Sequence, residues 1–148
     1  MLSELDKKIL KSLNEDGRKS FRQVAKEVGT SSTAIYNNVK KLEKSGVIKG
    51  YIPLIDPQQL GYNIIAIIRL RVNQEKEGDA IEHIKKFDEV SAIYSITGEW
   101  DQILLCYFKE LQELDDFLIN KLALPQVYRI VSHIVLNVYK DERRILVK

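Results

Sequence analysis

A single cysteine, two histidines, one tryptophan and three prolines leave this 148-residue chain with few of the residue types that carry covalent or metal chemistry. One cysteine allows no internal disulfide, which fits a reducing, cytoplasmic setting. There is no Gly-rich phosphate loop, no CxxC and no HExxH. His83 and His133 stand fifty residues apart and Cys106 lies in an apolar stretch, so neither a metal site, a cofactor nor a Cys-His nucleophile is expected. Asp115-Asp116 and the run Glu142 to Arg144 read as solvated charge. The longest unbroken aliphatic run is the five residues Ile64 to Ile68, whereas a membrane span needs about 20. The opening MLSELDKKIL lacks the basic start and apolar stretch of a secretory signal.

What is present is a globular composition, 45% apolar and 30% charged, enough to build a core as one ordinary domain or two small ones. The net charge of +2 conceals an asymmetry. Residues 1–50 hold 11 Lys+Arg against 6 Asp+Glu, and residues 51–148 hold 12 against 15. A basic first third points to a polyanionic partner there.

Within that basic third the spacing predicts three helices. Ser3 can cap the first, with Asp6 three positions on, followed by Leu5, Ile9, Leu10 and Leu13 at helical spacing and a stop at Asp16-Gly17. Ser20 and Gln23 form a cleaner capping box ahead of Phe21, Val24, Ala25 and Val28. Gly29-Thr30 supply a tight turn, Ser31 can cap the third helix, Ile35, Val39 and Leu42 form its buried stripe, and Gly46 ends it. Two helices joined by a Gly-containing turn make a helix-turn-helix.

Any three amphipathic helices can form a bundle, so the outward face of the third decides the function. It carries Ser32, Thr33, Tyr36, Asn37, Lys40, Lys41 and Lys44, with Asn38 at the border and Glu43 as a single marginal carboxylate. Asparagine can pair bidentately with an adenine edge, Thr and Tyr can contact bases or thymine methyls, and lysines can meet phosphates. Asn37-Asn38 are poor helix formers, so some requirement other than propensity holds them there. Double-stranded DNA is the expected partner, and residues 1–50 the expected DNA-binding domain.

After Gly46 the pattern turns extended, and Pro53 and Pro57 forbid a helix, so residues 51–61 are expected to form a linker strand. From Tyr62 the pattern reads strand (63–73), helix (78–87), strand (90–97), strand (102–108), helix (111–122) and strand (127–139). Two strand-helix-strand units joined by a hairpin give a ferredoxin-like βαββαβ sandwich over 62–148. The expected fold class is α+β, a helix-turn-helix domain joined by the linker strand to that sandwich.

Two helices can cover only one face of the sheet, yet the strands are apolar on both. In the first, Ile64, Ala66, Ile68, Leu70 and Val72 point one way while Ile65 and Ile67 point the other; ILLCYF has no polar side, and Val131 and Val135 oppose Ile130, Ile134 and Leu136. An apolar face of that size requires a cover. The same face of a second copy supplies one, giving a homodimer. The loop Thr97 to Asp101, with backbone donors near Gly98 and the Asp101 carboxylate, reads either as a hairpin turn or as a cradle for an amino acid's carboxylate and ammonium.

The stretch from Asp6 through Tyr51, with LDKKIL and VKKLEKSGVIKGY, resembles the DNA-binding end of the Lrp/AsnC, or feast/famine, family of transcriptional regulators. The similarity runs on through ITGEWD and LPQV, at the places of the family's Gly-x-x-Asp loop and Leu-Pro-x-Val lead into the last strand, and so covers nearly the whole chain. The resemblance implies a regulator whose dimers assemble further and whose small effectors, usually amino acids, sit beside that loop, with Gly98 and Asp101 carrying over. Trp100 and Gln102 depart from the smaller or more hydrophobic residues expected there. Sirohaem decarboxylases share the architecture, with His133, Arg129 and Arg69 as the set such an enzyme could use here, and an effector-free architectural DNA-binding protein is a third reading.

Overall fold

The computed structural model describes all 148 residues, which divide into two compact units: Met1–Leu54 together with Lys140–Lys148, and Ile55–Tyr139. No helix is long and apolar enough to cross a membrane.

The first unit is built on α1 (Glu4–Glu15), α2 (Phe21–Val28) and α3 (Ser32–Lys44). Each begins where a serine can satisfy the orphan N–H groups of a first turn. Both capping boxes close in full: the Asp6 N–H donates to Ser3 Oγ at 3.1 Å while the Ser3 N–H donates to Asp6 Oδ2 at 2.9 Å, and Ser20 and Gln23 repeat the exchange. Ser31 Oγ accepts the Ala34 N–H at 3.1 Å. Gly29, at φ 75°, takes the left-handed cap that lets α2 turn into α3. Ile9, Val24, Ala25, Ile35, Val39 and Leu42 close the core.

The second unit runs β1 (Ile64–Val72), α4 (Glu77–Ile84), β2 (Val90–Ser95), β3 (Gln102–Phe108), α5 (Leu111–Asp116, continuing as a π-helical turn over Phe117–Lys121) and β4 (Val127–Ile134). The four strands pair antiparallel in the order β2-β3-β1-β4, as the sandwich requires. Ala66, Ile68, Leu70 and Val72 of β1 and Leu104, Cys106 and Phe108 of β3 are buried with Ile84, Leu114, Phe117 and Leu122 of the helices. Burial pushes the Cys106 thiol up to about 12, so it stays protonated in this wall.

Two expectations are corrected. Residues 51–61 do not form a strand: the chain is unpaired through Asp56 and then makes a 3₁₀ turn over Pro57–Leu60, because a lone extended segment finds no partner edge within one chain. The last strand ends at Ile134, not Tyr139, because its pairing with β1 stops there. After Ala66 opposite Ile134, only the Val135 N–H donation to the Ile65 carbonyl at 2.8 Å remains.

The Asp6 carboxyl is buried and held below its ordinary value of 3.8, first by the Ser3 backbone N–H and then by the Ser3 side chain. A depressed carboxylate stabilises the fold above its ordinary pKa and loses that contribution as pH falls through the folded value. Ser3→Ala is expected to cost about 1 kcal/mol. In acid titrations of stability, the difference between the parent protein and Asp6→Asn should shrink once the pH drops below about 4; a difference that stays constant to pH about 2 would contradict the linkage.

Candidate DNA interface and effector loop

The α3 stripe that faces the core leaves its outward side open. Ser32, Thr33, Tyr36, Asn37, Lys40, Lys41 and Lys44 are exposed, while Ile35, Val39 and Leu42 are buried. Asn38 is half-buried, and its Nδ2 donates to the Ala34 carbonyl at 2.8 Å. That amide nitrogen is therefore spent on the helix's own backbone, a bond that offsets part of asparagine's poor helix propensity. Lys40 pairs with Glu43 at 3.0 Å, and this hydrogen bond raises the Lys40 pKa. Tyr36 packs edge-on against Phe21 of α2 with ring centroids 6.0 Å apart, so its hydroxyl-bearing ring is positioned by the neighbouring helix. The face offers cations, amides and hydroxyls, with its one carboxylate already paired.

Between β2 and β3 the chain reverses through Thr97 to Asp101 with Gly98 at φ 107°, a conformation that disfavours any side chain. The Asp101 N–H donates to the Leu70 carbonyl at 3.0 Å and its carbonyl accepts the Ile96 N–H at 3.0 Å, so the backbone stitches the loop to the sheet. Asp101 Oδ2 accepts the Val72 N–H at 2.9 Å and lies 3.9 Å from Arg71 Nε. Gly98 and Asp101 thus stand in one loop at one end of the sheet, with the carboxylate held in a fixed orientation. Gln102 is buried and donates to the Glu77 carboxylate of α4, which explains a polar residue where an apolar one would be unsurprising.

Trp100 is buried, not projecting, and two guanidiniums lean on its ring, Arg69 Cζ at 4.7 Å and Arg129 Cζ at 4.8 Å from the centroid. Arg129 also pairs with Glu99 at 3.0 Å. Register places Arg71 directly across from Arg129, and Arg69 across from Val131, all on the sheet face that the helices leave uncovered. His133 stands across from Ile67, further along the same face. This basic cluster was missed as part of the loop's surroundings. The signal was available: Arg69 and Arg71 continue the parity of Ile65 and Ile67 along β1. A groove of about 450 Å³ between α5 and β4, lined by Leu111, Leu114, Leu118 and Ile134 together with Gln112, Asp115 and Ser132, shares no residue with the loop.

Comparison with known proteins adds to this geometry. Residues 65–145 match the Lrp/AsnC ligand binding domain, and residues 2–49 a winged helix-turn-helix DNA-binding domain. An HTH-type transcriptional regulator of Pyrococcus abyssi is 37% identical over 98% of this chain and 99% of its own length. Ptr1, an HTH-type transcriptional regulator of Methanocaldococcus jannaschii, is 35% identical over 95% of this chain and 96% of its own length. Among solved structures, a transcriptional regulator of Neisseria meningitidis in complex with L-Met superposes with a TM-score of 0.92 at 26% identity, covering 99% of this chain and 97% of that one. AsnC of E. coli superposes with a TM-score of 0.89 at 26% identity, covering 96% and 97%.

Proposed function

The chain belongs to the Lrp/AsnC family of DNA-binding transcriptional regulators, and from that premise we propose that it reads operator DNA with α3 as a homodimer and alters that binding when an amino acid occupies the Gly98–Asp101 loop. The observation that carries the DNA reading is the exposed outward face of α3, with hydroxyls and the Asn37 amide in its first half and Lys40, Lys41 and Lys44 in its second. Asn37 is the residue for base readout, since it is exposed and its neighbour Asn38 is occupied by Ala34. Lys41 and Lys44 serve phosphates, and Lys40 does so by exchanging Glu43 for DNA.

The homodimer is supported by the uncovered sheet face and by the apolar segments outside the sandwich. Ile52 is 84% exposed, and Leu54, Leu136 and Val138 are also bare. A second copy can bury both the face and these segments at once, and a two-fold axis would then present a pair of α3 helices to one side of DNA. The amino-acid reading is supported by the loop's geometry and by the L-Met complex of the Neisseria meningitidis neighbour. A ligand that binds one assembly state better than another shifts DNA affinity by linkage, with coupling of roughly 1 to 3 kcal/mol.

Lys41→Ala and Lys44→Ala should weaken binding to specific and random DNA alike and flatten the salt dependence by about one counterion each, measured by fluorescence anisotropy across a salt series. Asn37→Ala should cost about 1 to 3 kcal/mol on the best operator and little on random DNA; equal loss on both would remove the base-reading role. Ile67→Asp places a charge in the uncovered face and should move the sedimentation coefficient toward that of a monomer. An unchanged sedimentation profile would reassign that face. Asp101→Asn keeps the acceptor for the Val72 N–H but drops the charge. In mobility shifts with an amino-acid panel it should lose whatever response the parent shows, and a surviving response would return the loop to a plain hairpin.

A further inference from the structure

The uncovered sheet face is chemically divided along its length. Its far end carries Ile65, Ile67, Leu105 and Tyr107, while the end beside the Thr97–Asp101 loop carries Arg69, Arg71 and Arg129. Arg71 and Arg129 are cross-strand partners, a placement in which like charges repel. Two carboxylates answer three guanidiniums: Glu99 takes Arg129 at 3.0 Å and Asp101 stands 3.9 Å from Arg71. Arg69 has no acidic partner within ion-pair distance, and the Nε atoms of both Arg69 and Arg71 are buried without a hydrogen-bond acceptor. A half-buried arginine held only against an indole ring is a donor fork whose strongest partner, a carboxylate, is not supplied by the chain.

We infer that the effector is an acidic amino acid, its side-chain carboxylate taken by Arg69 at the Trp100 end of the sheet while its ammonium meets Asp101. This rests on the amino-acid reading of the loop and narrows its ligand class. Asp101 Oδ2 sits 3.9 Å from Arg71 Nε, Arg69 lies two positions before Arg71 on the same face of β1, and its guanidinium rests on the ring of Trp100, the residue next to Asp101, which sets the ammonium site and the Arg69 fork at the same end of the sheet. An apolar side chain there would leave the Arg69 Nε as unpaired as it is now, and an amide oxygen could accept from it but would bring neither the negative charge nor the second equivalent acceptor that a carboxylate offers a guanidinium fork. Arg129 shares the Trp100 ring with Arg69, and its charge reinforces the preference for an anion.

Trp100 is the chain's one tryptophan, so its emission reports this place and no other. At constant ionic strength the full-length protein would be titrated with L-glutamate, L-aspartate, L-glutamine, L-methionine, 2-oxoglutarate and sulfate. Glutamate or aspartate should change the emission saturably, at least tenfold tighter than glutamine. Arg69→Gln should bring the acid down to the affinity of glutamine without altering glutamine itself; Arg129→Gln, in which the ion pair with Glu99 is lost but Arg69 remains, should weaken the acid less. If Arg69→Gln fails to fold, Arg69→Lys replaces it and should still lose at least fivefold, since a point charge lacks the fork. Glutamine or methionine binding as tightly as the acids, with the response abolished by Asp101→Asn, overturns the acidic class and leaves the amino-acid reading standing. Sulfate as effective as glutamate overturns it as a general anion site, and 2-oxoglutarate as tight as glutamate overturns the ammonium contact. Emission unmoved by every compound overturns both readings.

Discussion

Two short helices cannot cover both faces of a four-stranded sheet, and most of what distinguishes this protein follows from that geometric limit. α4 and α5 with its π-helical continuation bury the face of Ala66, Ile68, Leu70, Leu104, Cys106 and Phe108. The opposite face has side chains of comparable size in Ile65, Ile67, Leu105 and Tyr107, all left only half-buried. Apolar area kept in water is a standing cost of roughly 25 cal/mol per Å². An exposed apolar surface of this kind is a common mark of an interaction site, which is what supports the proposed homodimer. The unpaired extended segments around Ile52 and Leu136 point the same way, since each offers a backbone edge with no partner in its own unit.

On the reading proposed above, association and ligand sensing share one sheet. Alternation along β1 places Arg69 and Arg71 in line with Ile65 and Ile67, so the surface passes from apolar to cationic within two residues. The hairpin loop folds back over the cationic end, anchored by the Asp101 backbone and carboxylate to Leu70 and Val72. A ligand bound there touches a loop that is hydrogen-bonded to the central strand. Such a contact can bias how a neighbouring copy packs, which is the physical content of coupling between an effector and an assembly.

In the DNA-binding unit the controlling feature is smaller. Serine caps start each helix and the left-handed Gly29 turns the second into the third. Once Ile35, Val39 and Leu42 are committed to the core, helical geometry alone aims Thr33, Tyr36, Asn37, Lys40, Lys41 and Lys44 outward. The Lys19, Glu27 and Ser12 side chains then tie α1, α2 and the loop between them together, with hydrogen bonds from Ser12 and Lys19 lowering the Glu27 pKa.

The caps, the helix stripes, the strand alternation and the βαββαβ order were legible in the residues, because each is a local pattern whose period or hydrogen-bond demand repeats within a few positions. The outward face of α3 was legible for the same reason, since the residues that line a helix face are fixed by spacing once its stripe is known. The extended character of residues 51–56 was legible too, but not whether it pairs: a strand exists only where a second edge lies alongside, and this chain provides none. The early end of β4 is of the same kind, since its ladder with β1 stops at Ala66 opposite Ile134 and no period in the sequence marks that point. Only the tertiary structure decided that Trp100 turns inward between Arg69 and Arg129 and that Asp101 is bound to Val72. Those contacts join residues about 30 positions apart, through a cross-strand register that depends on where each strand starts and stops, and no local period in the sequence carries that information.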